Sequence, residues 1–136
     1  MTVDLAYSET GTGPALLILH GLFGSSSNWR GIARELSKRY TVYLVDLRNH
    51  GHSPHARGMT YPELAQDLER LVSRLGLRRF HLLGHSMGGK TAMCFALRGT
   101  HPLASLSIID ISPFRSPGDH GPILRALQTL PVAEIT

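Results

Sequence analysis

Residues 82–90 read LLGHSMGGK, and the rest of the sequence is interpreted outward from this stretch. A short apolar run from Phe80 to Leu83 comes before it, and a helical pattern follows from Met87 to Arg98. The pattern G-x-S-x-G therefore falls between a predicted strand and a predicted helix, which is the setting of a nucleophile elbow. Such an elbow holds its serine, here Ser86, on a sharp and strained turn above a sheet.

The residues around Ser86 suit a reacting serine. Gly84 and Gly88 have no side chains that would collide in so tight a corner. The first N–H groups of the following helix are free and point toward the serine, so we assign the N–H of Met87 as one donor to a developing oxyanion. His85 completes the pentapeptide as a supporting residue.

A second motif ends an earlier apolar run, Ala15 to His20, and reads HGLFG over residues 20–24. A turn flanked by glycines such as Gly21 lets the main chain approach a substrate carbonyl. We therefore predict the N–H of Leu22 as the second oxyanion donor. His20 is predicted to brace this loop by hydrogen bonding rather than to act in catalysis.

Apolar runs alternate with helical patterns along the chain, which predicts an α/β fold with a mostly parallel sheet and helices on both faces. The predicted strands are Val3 to Ser8, Ala15 to His20, Thr41 to Leu47, Phe80 to Leu83 and Leu106 to Ile111. Thr60 and Glu63 are spaced as a capping box that opens a helix between the third and fourth strands. In such folds the loops at the carboxyl ends of the strands build the site, and both motifs lie there.

Composition excludes several classes of function. The 136 residues carry a net charge of +4, but the arginines are scattered and only Arg78 and Arg79 are adjacent, so no nucleic-acid partner is predicted. The longest apolar run, Ala15 to Leu19, is too short for a membrane span. No signal sequence opens the chain and Cys94 is the single cysteine, so we expect a cytoplasmic protein.

No metal or cofactor is predicted. His50, His52 and His55 share one polar loop, but no cysteine or carboxylate stands near them at ligand spacing. Asp46 and Arg48, which end the third predicted strand, are expected to form a buried ion pair or to brace a loop.

A competing interpretation of the elbow is a nucleotide site. Residues 84–91 also match the phosphate-loop pattern G-x-x-x-x-G-K-[ST], and Asp110 ends a later apolar run, where a magnesium-binding aspartate would lie. This reading leaves the HGLFG motif unexplained, and it places the phosphate loop unusually late in the chain.

The motifs together resemble the α/β-hydrolase superfamily. The stretches VDLRNHGHSP at residues 45–54 and DISP at residues 110–113 narrow the resemblance to the YbfF-type esterases and their mitochondrial relatives among the α/β-hydrolase-domain proteins. The resemblance implies a serine hydrolase that cleaves small-molecule acyl esters or thioesters through an acyl-enzyme on Ser86. A C–C hydrolase or lyase on the same scaffold, and a non-catalytic role, stay as alternatives, and the oligomeric state is left open.

The same resemblance implies a division of the chain and an incomplete catalytic set. Residues 1–112 are expected to form the front part of the hydrolase core, and residues 113–136 the start of a cap, with further strands and most of the cap missing. His101 and His120 are the only histidines after Ser86, and neither matches the family's base position, so we expect impaired activity from this chain. Asp110 is either the triad acid or a structural aspartate at a strand end.

Overall fold

The computed structural model describes residues 1–115, Gly118 and residues 121–129. Within these residues, five strands form one sheet in the order β1-β3-β2-β4-β5. The strands are β1 (Tyr7–Thr10), β2 (Ala15–Leu19), β3 (Thr41–Val45), β4 (Phe80–His85) and β5 (Leu103–Ile109). The helices are α1 (Arg30–Leu36, after a 3-10 turn at Ser26–Trp29), α2 (Tyr61–Arg74), α3 (Met87–Arg98) and α4 (Gly121–Thr129).

The sheet is mostly parallel, as predicted. β3, β2, β4 and β5 run in the same direction, and β1 pairs antiparallel with β3 at one edge. In the central pairs, Leu17 lies opposite Tyr43 on one side and Leu82 on the other. The continuous apolar sequences of β2 and β3 agree with strands that are covered on both faces.

Helices cover both faces of the sheet, which confirms the predicted fold class. The larger core lies between the sheet and helices α2 and α3, where the α2 stripe of Leu64, Leu68, Leu71 and Val72 is buried. The smaller core lies on the opposite face, under α1, where the members are Leu16, Ile18, Ala33, Val42 and Leu44. The capping box that starts α2 is also confirmed, since Glu63 N donates to Thr60 Oγ1 and Thr60 N donates to Glu63 Oε2.

The first strand begins later than predicted, at Tyr7 rather than Val3. Apart from the bond that Asp46 N donates to Ala6 O, the residues before it are bonded to side chains instead of to a strand. Val3 N donates to Asp67 Oδ1 at 2.8 Å, and Ala6 N donates to Ser53 Oγ at 2.8 Å. These tethers, with the buried Leu5 side chain, hold the segment against α2 without a ladder of backbone bonds.

Two further boundaries differ from the prediction in ways that matter for the site. β4 continues through Gly84 to His85, so that only one residue separates it from α3. β5 begins at Leu103 and ends at Ile109, which leaves Asp110 as the first residue after the strand. β5 forms the second edge of the described sheet, with Leu106 and Ile109 about 40% exposed.

The helix α1 begins at Arg30, directly after the 3-10 turn that Trp29 ends. Ala33 is buried in the smaller core, and Trp29 and Leu36 pack against the same cluster. Ile32 is half exposed.

Candidate active site

Ser86 alone joins β4 to α3, in a conformation that non-glycine residues rarely adopt. Its φ is 51° and its ψ is −117°, which costs on the order of 1–3 kcal/mol. Two hydrogen bonds hold it there: Ser86 N donates to Ile109 O at 3.0 Å, and Lys90 N donates to Ser86 O at 3.1 Å. The turn is therefore fixed to β5 on one side and to α3 on the other.

The glycines of the elbow are required by close contacts of the backbone. A Cβ on Gly84 would overlap the carbonyl of Gly88. A Cβ on Gly88 would lie 2.5 Å from Leu19 O, and one on Gly89 would lie 2.6 Å from Ile111 Cγ2. The start of α3 thus packs directly against the ends of neighbouring strands. Gly89 was not singled out from the sequence, although it adjoins the motif.

The HGLFG motif forms a tight turn, in which Gly24 N donates to Gly21 O at 3.0 Å. Gly21 O also accepts a hydrogen bond from His20 Nδ1 at 2.8 Å. The Gly21 carbonyl and the Leu22 N–H belong to one trans peptide and point in opposite directions. The two bonds to Gly21 O therefore also fix the direction of the Leu22 N–H.

His20 is buried and its ring is fully bonded. Leu47 N donates to His20 Nε2 at 3.0 Å, so Nε2 is the acceptor and Nδ1 carries the proton that bonds Gly21 O. Burial lowers the pKa of His20, against the hydrogen bond to Gly21, which raises it. The ring is neutral and occupied, and this geometry matches the bracing role predicted for it.

The predicted oxyanion donors share a cavity with the serine. Ser86, Leu22 and Met87 line a space of about 380 Å³. Its other lining residues are Met59, Tyr61, Lys90, Ile111 and Arg115. Leu22 also lines a second cavity of about 320 Å³ with Trp29 and His85, on the other side of the HGLFG turn.

Asp110 lies directly after β5 with a φ of 55° and a side chain that is 86% exposed. Its Oδ2 is 3.9 Å from His85 Nε2, too far for a hydrogen bond. Among the described residues the Asp110 carboxylate accepts no backbone N–H. The structural reading, in which this carboxylate bonds backbone amides at the strand end, therefore has no contact here to support it.

Asp46 braces the loop after β2 and does not form an ion pair with Arg48. Its Oδ1 accepts Ser26 N at 2.6 Å and its Oδ2 accepts His52 N at 2.9 Å. Burial alone would raise the pKa of Asp46, but the bonds from His52 and Ser26 outweigh it and the pKa is lowered. The carboxylate thus links the loop after β2 to the loop after β3.

Arg48 forms its buried ion pair with a residue that the sequence did not indicate, Asp67 in α2. Arg48 Nε lies 2.6 Å from Asp67 Oδ2, Nη2 lies 2.8 Å from Oδ1, and both side chains are at most 1% exposed. Asp67 stands on the apolar face of α2, and its buried carboxylate is satisfied by partners on other elements, Arg48 and the N–H of Val3.

The histidines after Ser86 do not supply a base among the described residues. His101 Nε2 bonds Ser73 Oγ at 3.2 Å and its ring stacks on Phe95, on the α2–α3 side of the molecule. His120 lies outside the described residues. Within the part of the chain that the structure describes, no imidazole is hydrogen-bonded to the Ser86 hydroxyl.

The alternative sites are not supported. A phosphate loop needs several residues whose N–H groups surround the phosphate, whereas a single residue separates β4 from α3. Over residues 1–115 and 121–129, no three histidine, cysteine, aspartate or glutamate side chains are grouped as metal ligands. No helix in the described ranges is long and apolar enough to cross a membrane.

Comparisons with known proteins identify the family of the fold. Residues 14–129 match the family model of the α/β hydrolase fold. The sn-1-specific diacylglycerol lipase ABHD11 of Mus musculus is 43% identical over 125 residues, which are 89% of this chain and 41% of that protein.

Two solved structures are also similar. A marine microorganism esterase superposes with a TM-score of 0.88 at 40% identity, over 95% of this chain and 52% of that one. A thermophilic esterase from Thermogutta terrifontis superposes with a TM-score of 0.80 at 36% identity, over 85% of this chain and 43% of that one. The chain thus spans about half or less of the length of these relatives. It belongs to the α/β hydrolase fold family.

Proposed function

We propose that this chain carries the nucleophile and the oxyanion hole of a serine hydrolase that cleaves carboxylic esters or thioesters. The observation that carries the proposal is the backbone of Ser86, a strained single-residue junction that opens into a cavity shared with Leu22 and Met87. Strain at one residue persists where surrounding structure enforces it, and such residues are concentrated at reactive sites. The esterase and lipase names of the relatives support the same class of reaction.

The proposed mechanism is acyl transfer in two steps. An imidazole base takes the hydroxyl proton as Ser86 Oγ attacks the ester carbonyl, and the N–H groups of Leu22 and Met87 stabilise the tetrahedral oxyanion that forms. As the oxyanion collapses, the imidazolium gives this proton to the leaving alcohol or thiol. The same base then takes a proton from the water that attacks the acyl-enzyme and returns it to Ser86 Oγ as the carboxylic acid leaves. The start of α3 adds a favourable helix dipole at the oxyanion.

Asp110 is the proposed triad acid. It is exposed at the carboxyl end of β5, the strand whose last carbonyl holds the Ser86 N–H. An exposed carboxylate that bonds no backbone N–H in the described part of the chain is available to orient an imidazole. No imidazole among the described residues is hydrogen-bonded to the Ser86 hydroxyl. We therefore propose that the chain alone hydrolyses esters slowly.

We also propose that residues 113–136, which include α4, begin a cap over the site. Ile111 and Arg115, on either side of the proposed boundary, already line the cavity with Ser86. A cap of this kind would shape the acyl site and limit its contact with bulk solvent.

A fluorophosphonate probe tests the proposal, with and without added imidazole to act as the base. We expect covalent labelling that maps to Ser86 and is accelerated about tenfold by imidazole, less than the ~10²–10⁴-fold of a positioned base because added imidazole is free in solution. The variant Ser86→Ala should not be labelled, while Ser112→Ala, at the same edge of the sheet, should react like the parent chain. A folded chain that remains unlabelled at every imidazole concentration would rule the proposal out.

A further inference from the structure

The backbone of His50 is fixed by hydrogen bonds that do not involve its ring. It lies in the turn that follows β3, where His50 N donates to Leu47 O at 3.1 Å and Ser53 N donates to His50 O at 3.0 Å. The preceding Arg48 is buried in its ion pair with Asp67. The ring of His50 therefore projects from a rigid base.

The two ring nitrogens of His50 have partners that fix its protonation state. Nδ1 is 2.9 Å from Arg48 O, and a carbonyl oxygen only accepts, so Nδ1 carries a proton. Nε2 is 3.2 Å from Phe23 N, and this N–H only donates, so Nε2 offers its lone pair. The observed contacts thus require a neutral ring with the proton on Nδ1.

The bond to Phe23 comes from outside the oxyanion loop, which we define as residues 20–26 after β2 and which includes the HGLFG motif. Phe23 has a φ of 60°, which a non-glycine residue adopts only under constraint. Its N–H belongs to the peptide that follows Leu22, whereas His20 bonds the peptide that precedes Leu22. The two rings lie 5.1 Å apart, so a pair of neutral histidines holds the two peptides on either side of the proposed donor.

We propose that His50 is a positioning residue for the oxyanion hole, and that it holds the Leu22–Phe23 peptide only while its ring is neutral. The proposal rests on the proposed function insofar as Leu22 is an oxyanion donor. A proton on Nε2 would place a donor against the Phe23 N–H, and the bond would be lost. The oxyanion loop would then loosen in acid for a reason unrelated to the catalytic base.

The groups that face His50 do not offset this effect. His20, from the loop after β2, presents a neutral ring that is already bonded at both nitrogens. Asp46, at the end of β3, has its carboxylate oxygens occupied by Ser26 N and His52 N. The ring of His52 is 88% exposed and turned to Asp46 at 3.4 Å.

The test combines a spectroscopic titration with two variants of the chain. Nitrogen-15 spectra of the imidazole rings should show His50 protonated at Nδ1 and bare at Nε2 near neutral pH. On acidification the Phe23 amide resonance should shift together with the His50 ring. In His50→Gln, whose side-chain oxygen accepts the Phe23 N–H without titrating, that shift of the Phe23 amide should disappear.

Labelling of Ser86 gives a second readout. We expect His50→Ala to lower the imidazole-stimulated labelling rate about tenfold, because a loosened donor loses part of its stabilisation of the transition state. His50→Gln should stay within about twofold of the parent at neutral pH. His55→Gln, an exposed histidine of the same loop, is the matched control and should behave as the parent in both experiments.

The outcomes separate this proposal from the proposed function. A His50 ring protonated at Nε2 near neutral pH, or a Phe23 amide that ignores the ring's titration, would overturn the role of His50 even if Ser86 reacts. If Ser86 never reacts, the proposed function fails, but the ring form and the Phe23 titration still decide whether His50 holds the loop.

Discussion

The nucleophile elbow and the oxyanion loop lie side by side at the carboxyl ends of β4 and β2, but they are held in different ways. The elbow is fixed by backbone packed against backbone, at positions such as Gly84 and Gly88 where any side chain would overlap a carbonyl. The oxyanion loop is fixed by side chains, His20, Asp46 and His50, which bond its peptides. One element tolerates no added atom, whereas the other depends on particular acceptors and their charge.

This difference predicts that the elbow is the more sensitive to substitution. Gly88→Ala would place a Cβ 2.5 Å from Leu19 O and 2.6 Å from His20 O. Because both contacts are backbone atoms at the carboxyl end of β2 and cannot rotate away, we expect the free energy of unfolding to fall by about 3 kcal/mol. Urea unfolding followed by circular dichroism measures this change.

Gly31→Ala is the matched control for Gly88→Ala. Gly31 lies in α1 with nothing within 4 Å of an added Cβ, so the alanine should leave stability unchanged or raise it slightly. Equal effects of the two substitutions would show that the elbow is not held by close packing.

The same difference explains what the sequence revealed. The elbow was predictable because its constraint is local: a serine at positive φ, flanked by glycines within two positions, leaves a readable pattern around Ser86. The predicted bounds of α3, Met87 to Arg98, were confirmed. They were readable because the elbow that starts the helix directly follows an apolar strand in the sequence. The capping box at Thr60 was confirmed for the same reason.

The supports of the oxyanion loop were harder to predict because their partners are distant. Phe23 and His50 are 27 positions apart, and no local pattern indicates which nitrogen of a histidine will meet which amide. Asp67 was missed because a single aspartate on an amphipathic helix resembles a solvated residue until Arg48 is placed against it. The predicted start of β1 at Val3 was wrong for a related reason, because the N–H of Val3 bonds Asp67 instead of a neighbouring strand.

The support that Asp46 gives to the oxyanion loop depends on the charge of its carboxylate, so we expect it to depend on pH. Asp46→Asn would replace one carboxylate oxygen by an amide NH₂, which only donates. The N–H of Ser26 or of His52 would then face a donor and lack an acceptor. We expect the free energy of unfolding to fall by about 2 kcal/mol near neutral pH, the range for losing a hydrogen bond to a charged group. Denaturant titrations across pH test this.

The sign of the pH dependence follows from the lowered pKa of Asp46. A carboxyl whose pKa is lower in the folded chain stabilises it fully above its ordinary pKa of 3.8, and this contribution is lost as the pH falls through the folded value. The stability difference between parent and Asp46→Asn should therefore be largest above about pH 5 and shrink in more acidic solution. Asp4→Asn, at an exposed carboxylate paired with Arg70, is the control and should change stability little. A difference that stays constant down to pH 3 would mean that the Asp46 charge does not support the loop.

The smallest effect on stability is expected at Asp110, which lies beside the elbow but supports neither element. Its carboxylate is 86% exposed and bonds no backbone amide among the described residues, so Asp110→Asn should leave the free energy of unfolding unchanged. If the carboxylate orients an imidazole for Ser86, the same variant should lower the imidazole-stimulated labelling rate at least about tenfold, because a neutral amide does not stabilise the imidazolium that forms.

Parallel unfolding and labelling measurements on one preparation separate the two roles. Lower stability with unchanged labelling would assign Asp110 to the structure of the strand end, whereas unchanged stability with slow labelling would place it in the reaction. The second result would also show that Asp110 contributes to the reaction without contributing to the stability of the fold.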